Sequence, residues 1–161
     1  MKLIAAVSKN WAIGKNNSLL FSIPTDMAFF RKTTSGKTII MGRKTLDSFP
    51  GSKPLKNRKN VVLSKGIKDI EGATVVSCIE DALKEADSDT FVIGGESIYT
   101  QFLPYCDTAY ITKVFEECDG DAFFPDLDKN PEWYLAEAGE EIEENGHKFS
   151  FCTYKRKEAT K

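Results

Sequence analysis

Short β-rich runs alternate with helical stretches along most of the chain, and no other feature of the sequence constrains the fold as strongly. The apolar runs predict strands at residues 3–7, 38–41, 60–63, 73–76, 91–93 and 108–115. The segments between them predict helices at residues 24–35, just after Gly42, at 79–86 and at 94–103. Because this alternation is typical of strands joined by right-handed helical crossovers, it predicts an α/β fold with a mainly parallel central sheet and helices on both faces.

The C-terminal part of the chain follows a different pattern. Residues 133–141 and 148–157 flank Asn145-Gly146, a dipeptide that strongly favours a two-residue hairpin turn. We expect these segments to form an antiparallel hairpin that adds a reversed strand at the edge of the sheet. The 161 residues contain no repeat and no Pro/Gly/Ser-rich linker, so a single domain covering residues 1–161 is expected.

Composition and charge argue against several classes of protein. A formal net charge of −2 argues against general nucleic-acid binding, which needs a basic surface. The start of the chain does not resemble a signal peptide, and no apolar run approaches the roughly 18 residues of a membrane span, so we expect a cytoplasmic protein without membrane contact. The four cysteines form no C-x-x-C pair, which predicts reduced thiols and argues against a zinc site.

The single histidine limits the chemistry that the chain can perform. His147 follows Asn145-Gly146, and a turn position of this kind favours a surface residue over a catalyst. Without a better-placed histidine, the chain cannot assemble a Ser-His-Asp or Cys-His site. Any acid–base chemistry is therefore expected from a carboxylate, a tyrosine or water.

Glycine stands at two junctions between a strand and a helix. Gly42 follows one apolar run, and Gly94-Gly95 follows another. Glycine allows a ligand to approach the backbone, and helix N-termini present free N–H groups to phosphate, so both junctions are consistent with a bound pyrophosphate. Two ordinary tight turns would give the same pattern, and neither junction has the G-x-G-x-x-G fingerprint of a common Rossmann domain.

Polar and basic residues at the candidate loop ends discriminate between NAD and NADP(H). They are Arg43, Lys44, Ser64 and Lys65. Cations at such positions favour the 2′-phosphate of NADP(H), whereas an acidic residue would favour NAD. The alternative is a solvated basic rim.

Asp26 is the most informative single residue. Pro24 and Gly36 are typical of the two ends of a helix, which places Asp26 in the first turn, on the same face as Phe29 and Phe30. A carboxylate that lines an apolar slot would have a raised pKa and could bind a cationic or amidine-like edge of a heterocycle. The alternative is a carboxylate that only complements the helix dipole.

Two long loops and an acidic run remain outside the predicted helices and strands. Residues 8–20 are long for a connection in a small α/β domain, and such loops often act as active-site lids. In the second loop, 116–121, the two residues Asp119 and Asp121 are too isolated to predict a metal site. The acidic run at 140–144 is most simply a set of solvated charges.

Five motifs follow one another in order over almost the whole chain. They are Ile23-Pro24-Thr25-Asp26, Ile40-Met41-Gly42-Arg43-Lys44-Thr45, Arg58-Lys59-Asn60-Val61-Val62-Leu63-Ser64, Val92-Ile93-Gly94-Gly95 with Tyr99, and Ala109-Tyr110-Ile111-Thr112. In this order and spacing, the chain resembles bacterial dihydrofolate reductase. The resemblance implies NADPH-dependent reduction of 7,8-dihydrofolate to tetrahydrofolate, with hydride transfer to pterin C6 and protonation of N5.

The resemblance also implies which residues bind the substrate. Asp26 would hold the pterin, with Thr112 as its partner, and would support protonation of N5 by way of water. Arg58 would pair with the α-carboxylate of the glutamate tail, a role that suits its bidentate fork. The apolar slot around the pterin and the aminobenzoyl ring would be lined by Ile4, Ala5, Met27, Phe30, Phe49, Leu55 and Ile93. Antifolates would share this slot, and we expect a monomer.

A second set of residues is implied to hold NADPH. The backbone of Ala6 and Ile13 would bind the nicotinamide carboxamide, and the loop around Leu19 would act as a lid braced by Asp121. Phosphate contacts would come from Arg43, Lys44, Thr45, Ser64 and Lys65. The rest of the cofactor site would be formed by Gly14, Gly42, Leu63, Gly94, Gly95, Glu96, Ser97 and Tyr99.

Two positions depart from the family pattern. The family usually has Pro-Trp before the helix that carries the carboxylate, whereas this chain has Leu20-Phe21. The tryptophan N–H commonly helps to hold a water near the carboxylate, and phenylalanine cannot donate that bond. Gly146 stands where a serine can contact the lid.

Two rival functions remain open. The first is a related reductase that acts on another heterocycle, against which the pairing of Asp26 with Arg58 argues. The second is a dinucleotide-binding protein without catalysis, in which Asp26 would be dispensable.

Overall fold

A nine-stranded sheet forms the centre of the protein. The computed structural model describes residues 1–16, 18–66 and 69–157; Asn17 of the predicted lid and residues 67–68 and 158–161 of the predicted domain lie outside them. The strands are β1 (Lys2–Val7), β2 (Ala12–Lys15), β3 (Ser18–Leu19), β4 (Thr38–Gly42), β5 (Lys59–Leu63), β6 (Ala73–Val76), β7 (Phe91–Gly94), β8 (Thr108–Val114), β9 (Ala122–Phe123), β10 (Trp133–Ala138), β11 (Ile142–Glu144) and β12 (His147–Arg156). The helices are α1 (Pro24–Thr34), α2 (Arg43–Asp47), α3 (Ile79–Lys84) and α4 (Glu96–Phe102), with short 3₁₀ turns at Pro50–Ser52 and Leu103–Tyr105.

The strand order of the large sheet is β10-β12-β8-β1-β7-β4-β5-β6, with β11 also paired to β12. Every neighbouring pair from β8 to β6 is parallel, so the prediction of a mainly parallel sheet is confirmed. Parallel strands end at the same edge of a sheet, and ligands of α/β proteins bind at that edge. The ends of β1, β4, β5, β7 and β8 therefore determine where a site can form.

Helices cover both faces of this sheet, as predicted. Neighbouring residues of a strand point to opposite faces, and the core divides accordingly. Leu3 of β1, Ile40 of β4 and Val92 of β7 pack in one cluster, which also includes residues of α3 and α4. Their neighbours Ile4, Ile39, Met41, Phe91 and Ile93 form a second cluster, against which two phenylalanines of α1 pack.

The C-terminal hairpin differs in detail from the prediction. Asn145 and Gly146 do form the tight turn, with φ of +53° and +80°, and it joins β11 to β12. The predicted strand at 133–141 is broken, however, because β10 ends at Ala138 after a register shift. Gly139 follows, and its backbone N–H donates to the carbonyl of Phe151 at 2.8 Å, an approach that leaves no room for a side chain. The reversed strand β12 lies inside the sheet because it pairs with both β8 and β10, and β10 forms the edge.

The predicted lid loop contains structure that the sequence did not indicate. Strands β2 and β3 lie within residues 8–20, and with β9 they form a second sheet in the order β3-β2-β9. These strands have only two to four residues each, which is too short for an alternating pattern to be detected.

An acidic residue from the far end of the chain caps α1. The helix begins at Pro24, and Ile23 before it provides no side-chain cap. Instead, the Thr25 backbone N–H donates to Glu144 Oε1 at 2.9 Å, and the Thr25 hydroxyl donates to Oε2 of the same carboxylate. These bonds hold the pKa of Glu144 below its usual range. The expectation that residues 140–144 are only solvated charges was wrong for Glu144, because it satisfies a free N–H of the first helical turn.

Residues 1–16, 18–66 and 69–157 contain no helix that is both long and apolar enough to cross a membrane. The longest helix among them, α1, has 11 residues.

We expect the substitution Glu144→Ala to lower the urea midpoint of unfolding, because α1 loses two bonds at its N-terminus. Glu143→Ala is the matched control, since Glu143 is exposed on the same strand and should change the midpoint little. The difference should shrink at acid pH, because the contribution of a carboxylate with a depressed pKa is lost as pH falls through that pKa. Equal midpoints for the two variants at neutral pH would contradict the capping role.

Candidate active site

A half-buried carboxylate lies where α1 meets the end of β8. Asp26 is in the first turn of α1, and the buried hydroxyl of Thr112 donates to its Oδ1 at 2.6 Å across 86 residues of sequence. Burial raises the pKa of Asp26 above its usual range, and the bond from Thr112 lowers it in part. Of the two interpretations of Asp26, the structure supports a carboxylate held inside the fold rather than a solvated charge that only complements the helix dipole.

Apolar side chains extend from Asp26 along α1. Ile4 and Ile93 are buried in the cluster beneath this helix, and Phe30, Phe49 and Leu55 are partly buried against the same cluster. The structure thus brings together five of the seven predicted slot residues.

Met27 and Ala5, the other two predicted slot residues, are placed differently. Met27 is 49% exposed on α1. Ala5 packs against the cluster on the opposite face of the sheet.

A guanidinium lies near the other end of α1. Arg58 Nη1 donates to the Thr34 hydroxyl at 3.1 Å, and Nε donates to the Lys56 carbonyl at 2.8 Å. Burial, together with the nearby guanidinium of Arg31, lowers the pKa of Arg58. No ion pair of Arg58 with a carboxylate is present within the described ranges, so this partly buried cation is available to an anionic ligand.

The two glycine junctions meet at the carboxyl edge of the sheet. A Cβ on Gly42 would lie 3.0 Å from Ile98 Cγ1 and 4.0 Å from the Gly94 carbonyl oxygen. Gly94 has a φ of +127°, and a Cβ there would lie 3.4 Å from Thr45 Oγ1. The peptide bond from Gly94 to Gly95 is cis. Residues of the first junction therefore pack directly against the second, which places the starts of α2 and α4 side by side.

Tyr99 links the second junction to β1. Its buried hydroxyl donates to the Ile4 carbonyl at 2.7 Å, and burial raises its pKa strongly. In the sheet, Ala6 of β1 is paired with Thr112 of β8. Partly buried Ile13 on β2 packs against the core cluster that contains Tyr99. Backbone groups of β1 thus lie between the carboxylate and the glycine junctions.

The predicted phosphate-binding residues surround these junctions. They differ in their exposure and in their bonds to other protein groups. Lys44 and Lys65 are exposed. Arg43 Nε pairs with Asp47 Oδ1 at 3.1 Å within α2. Ser64 follows β5, and its N–H donates to the Val76 carbonyl at 2.9 Å. Leu63, at the end of β5, is half-buried.

Two predicted cofactor residues have partners within the protein. The Glu96 carboxylate accepts the backbone N–H of Phe123 at 2.6 Å, which ties the start of α4 to β9. The Ser97 hydroxyl accepts a bond from Gln101 at 2.7 Å.

The small sheet holds the predicted lid against the loop at 116–121. The Asn16 backbone N–H donates to Asp121 Oδ2 at 3.0 Å, and the Asp121 N–H donates to the Gly14 carbonyl at 3.0 Å. Lys15 pairs with Asp119 at 2.5 Å. Leu19, on β3, is 79% exposed. The implied contact between Asp121 and the lid is thus present in the structure.

The two positions that depart from the family pattern, Phe21 and Gly146, differ in how closely they are packed. Phe21 packs with the cluster of Ile23, Val114 and Phe149, and its ring meets the His147 ring edge-on at 5.6 Å between centroids. A Cβ on Gly146 would have no neighbour within 4 Å.

His147 has a more specific environment than its turn position indicated. It is half-buried, and its Nδ1 forms a 2.5 Å hydrogen bond with Glu116 Oε2. His147 keeps partial exposure, as its turn position predicts, and its partner Glu116 comes from the loop after β8.

Asn60 is the functional candidate that sequence reasoning missed. It is buried at the start of β5, next to the loop that carries Leu55 and Arg58. The available signal was a polar side chain followed by three apolar residues in a predicted buried strand.

Known proteins with similar sequences can be compared with this site. The family model described as "Dihydrofolate reductase" matches residues 1–156. A dihydrofolate reductase of Bacillus subtilis is 40% identical over 166 residues, which cover 100% of this chain and 97% of the relative. One of Haemophilus influenzae is 40% identical over 136 residues, which cover 83% of this chain and 82% of the relative. A dihydrofolate reductase type 3 of Salmonella typhimurium is 34% identical over 150 residues, or 91% of this chain and 87% of the relative.

The bond from Thr112 to Asp26 can be tested in the ligand-free protein. We expect Thr112→Val to raise the pKa of Asp26 further, because the lost bond favours the ionised carboxylate. The measurement is an NMR titration of the Asp26 side-chain carboxyl, assigned with an Asp26→Asn variant. Thr108→Val, at the far end of the same strand, is the control. An unchanged pKa in Thr112→Val would show that the bond does not act on the charged form.

Proposed function

The chain belongs to the dihydrofolate reductase family, and we propose that its apolar slot binds 7,8-dihydrofolate and directs its NADPH-dependent reduction to tetrahydrofolate. One observation carries the assignment of the slot. A half-buried carboxylate lies near one end of α1, and near the other end lies a guanidinium that pairs with no carboxylate of the described residues. Asp26 and Thr34 are separated by eight residues, or about 12 Å along the helix axis. That distance suits a two-ring heterocycle and an aminobenzoyl ring between a hydrogen-bond-donating edge and an anionic tail.

At the pterin end, Asp26 accepts hydrogen bonds from N3 and the 2-amino group of the heterocycle. The Thr112 hydroxyl already donates to Oδ1, so it fixes the plane of the carboxylate before the substrate arrives. The raised pKa of Asp26 brings its protonation closer to neutral pH, and this supports delivery of a proton to N5 by way of water.

At the tail end, Arg58 pairs with the α-carboxylate of the glutamate. Nη1 and Nε are held by Thr34 and the Lys56 carbonyl, so the fork is oriented before binding. The apolar side chains between the two ends exclude water from the pterin and aminobenzoyl rings.

The residues at the carboxyl edge fit a bound dinucleotide. A Cβ on Gly42 would make a tight contact with Ile98, Gly94 has a positive φ, and the two junctions are in contact. Both positions therefore favour glycine, whose backbone a ligand can approach closely. NADPH supplies the hydride for pterin C6. Its phosphates are proposed to contact Arg43, Lys44, Thr45, Ser64 and Lys65, and its central part to lie along Gly42, Leu63, Gly94, Gly95, Glu96, Ser97 and Tyr99.

The lid completes the proposed site. Backbone groups of Ala6 and Ile13 would hold the nicotinamide carboxamide, with Gly14 and Leu19 on the same small sheet. Asp121 fixes that sheet to the loop after β8, so the lid is braced over the end of β1. Its role is to exclude water while the two rings are aligned.

We further propose that residues 1–161 act as one domain, as a monomer in the cytoplasm, and that antifolates compete for the slot. All four cysteines are free, and Cys106 and Cys152 are buried, as is typical of a reducing compartment.

The decisive assay follows NADPH oxidation with dihydrofolate, with and without methotrexate. We expect rapid, antifolate-sensitive turnover by the unmodified chain. Asp26→Asn should reduce kcat at neutral pH by about 10²-fold or more, which is the usual contribution of general acid–base catalysis, while NADPH binding is retained.

The other outcomes of this assay separate the rivals. NADPH binding without turnover of dihydrofolate would contradict the proposal. It would favour a reductase that acts on another heterocycle or a dinucleotide-binding protein without catalysis. Full activity of Asp26→Asn would show that another group supports protonation.

The basic residues around the glycine junctions predict a preference for NADPH over NADH. We expect Lys65→Ala to raise KM for NADPH by about tenfold, the equivalent of one lost charge-assisted bond of about 1.4 kcal/mol, and to leave KM for NADH nearly unchanged. Lys59→Ala is the control, because Lys59 lies at the opposite end of β5 and pairs with Glu85. An equal change for both cofactors would place Lys65 outside the 2′-phosphate site.

A further inference from the structure

Among the described residues, Asn60 directs three side-chain hydrogen bonds to the loop that carries Arg58. Its Nδ2 donates to the Leu55 carbonyl at 2.9 Å and to the Arg58 carbonyl at 3.0 Å. Its Oδ1 accepts the Leu55 N–H at 3.0 Å. The side chain is almost fully buried, at 2% exposure, so both N–H groups and the oxygen of the amide are engaged within the protein.

These three bonds connect the two ends of the loop at 55–58. A buried amide is costly unless it is hydrogen-bonded, and here the bonds replace the regular backbone pairing that the loop lacks. Asn57 within the loop has a φ of +59°, so the chain turns sharply between the two residues that Asn60 holds. The position of the Arg58 backbone is therefore set by a side chain in the sheet beneath it.

The Arg58 side chain is oriented from the opposite side by α1. The Thr34 hydroxyl accepts a bond from Nη1 and donates to the Phe30 carbonyl at 2.8 Å, so its own orientation is fixed. Asn60 and Thr34 are both buried, and neither is placed to touch a ligand in the slot. They act on the substrate through Arg58.

We propose that Asn60 is a positioning residue that sets the preference of the enzyme for folates with a glutamate tail over the tail-free pteroate. This inference rests on the proposed function and deepens it. A guanidinium that is already in place loses less freedom when it pairs with a carboxylate, so the bond contributes more to binding. Leu55, which Asn60 also holds, packs in the slot wall and serves both substrates.

The experiment compares 7,8-dihydrofolate with 7,8-dihydropteroate, which has the same rings and aminobenzoate but no glutamate. For Asn60→Ala, we expect kcat/KM for dihydrofolate to fall about tenfold, the loss of about 1.4 kcal/mol, chiefly through KM. The value for dihydropteroate should fall clearly less, because a displaced Leu55 affects both substrates whereas only the glutamate pairs with Arg58.

A double-substitution series tests whether the effect passes through Arg58. In an Arg58→Ala background, adding Asn60→Ala should not reduce the remaining preference for dihydrofolate further, because coupled residues are not additive. If the effects add fully, Asn60 acts by another route and the inference is wrong.

The ratio of kcat/KM for the two substrates separates a loss of stability from a loss of positioning. Loss of folded protein lowers the apparent rate for both substrates equally, whereas mispositioned Arg58 lowers only one. Asn60→Asp is the second variant, because it keeps the shape and the acceptor for Leu55 but lacks the amide donors for the two carbonyls; it should shift the ratio in the same direction.

Equal losses for the two substrates in the Asn60 variants would overturn the inference and leave the proposed function intact. Absence of dihydrofolate turnover in the unmodified chain would instead overturn the proposed function.

Discussion

The hydrogen bond between Asp26 and Thr112 is the interaction on which the site depends, and it forms only when the whole fold is in place. The two residues are 86 positions apart, and their contact requires α1 to lie across the end of β8. Burial raises the pKa of Asp26, so the folded state holds the proton more tightly than the unfolded state does. Stability is therefore lost as pH rises from the ordinary carboxyl value through the raised one. Keeping a carboxylate in an apolar slot therefore lowers the stability of the fold at neutral pH.

Helix α1 sets the spacing of the proposed substrate site, and distant parts of the chain fix both of its ends. Glu144 from β11 caps the first turn, next to Asp26. Near the last turn, Thr34 accepts a bond from Arg58, whose loop is held by Asn60. Because Asp26 lies on α1 and Arg58 bonds to Thr34 of the same helix, the length of α1 sets the separation of the carboxylate and the guanidinium. A ligand with one group for each end is selected by length as well as by charge.

The sequence was sufficient to predict the elements that depend on local patterns. Residues 24–35 were predicted as a helix, and α1 spans Pro24–Thr34; the strand predicted at residues 73–76 matches β6. The contacts of Glu144, His147 and Asn60 could not be predicted in this way, because each bond joins groups whose proximity exists only in three dimensions. The sheet β3-β2-β9 was missed for a related reason, since its short strands pair through residues from two separate loops. The sequence thus indicated which residue types could perform the chemistry, but it did not indicate the tertiary contacts that position them.

The substitution of Phe21 for the usual tryptophan changes what must complete the environment of Asp26. Phe21 packs into the cluster of Val114 and Phe149 and has no polar hydrogen to donate. In the part of the chain that the structure describes, Thr112 is the side-chain donor to Asp26, and it bonds to Oδ1 alone. Oδ2 therefore depends on the substrate and on solvent for its hydrogen bonds. The orientation that Thr112 imposes consequently matters more in this chain than in one where an indole N–H also helps to order the water.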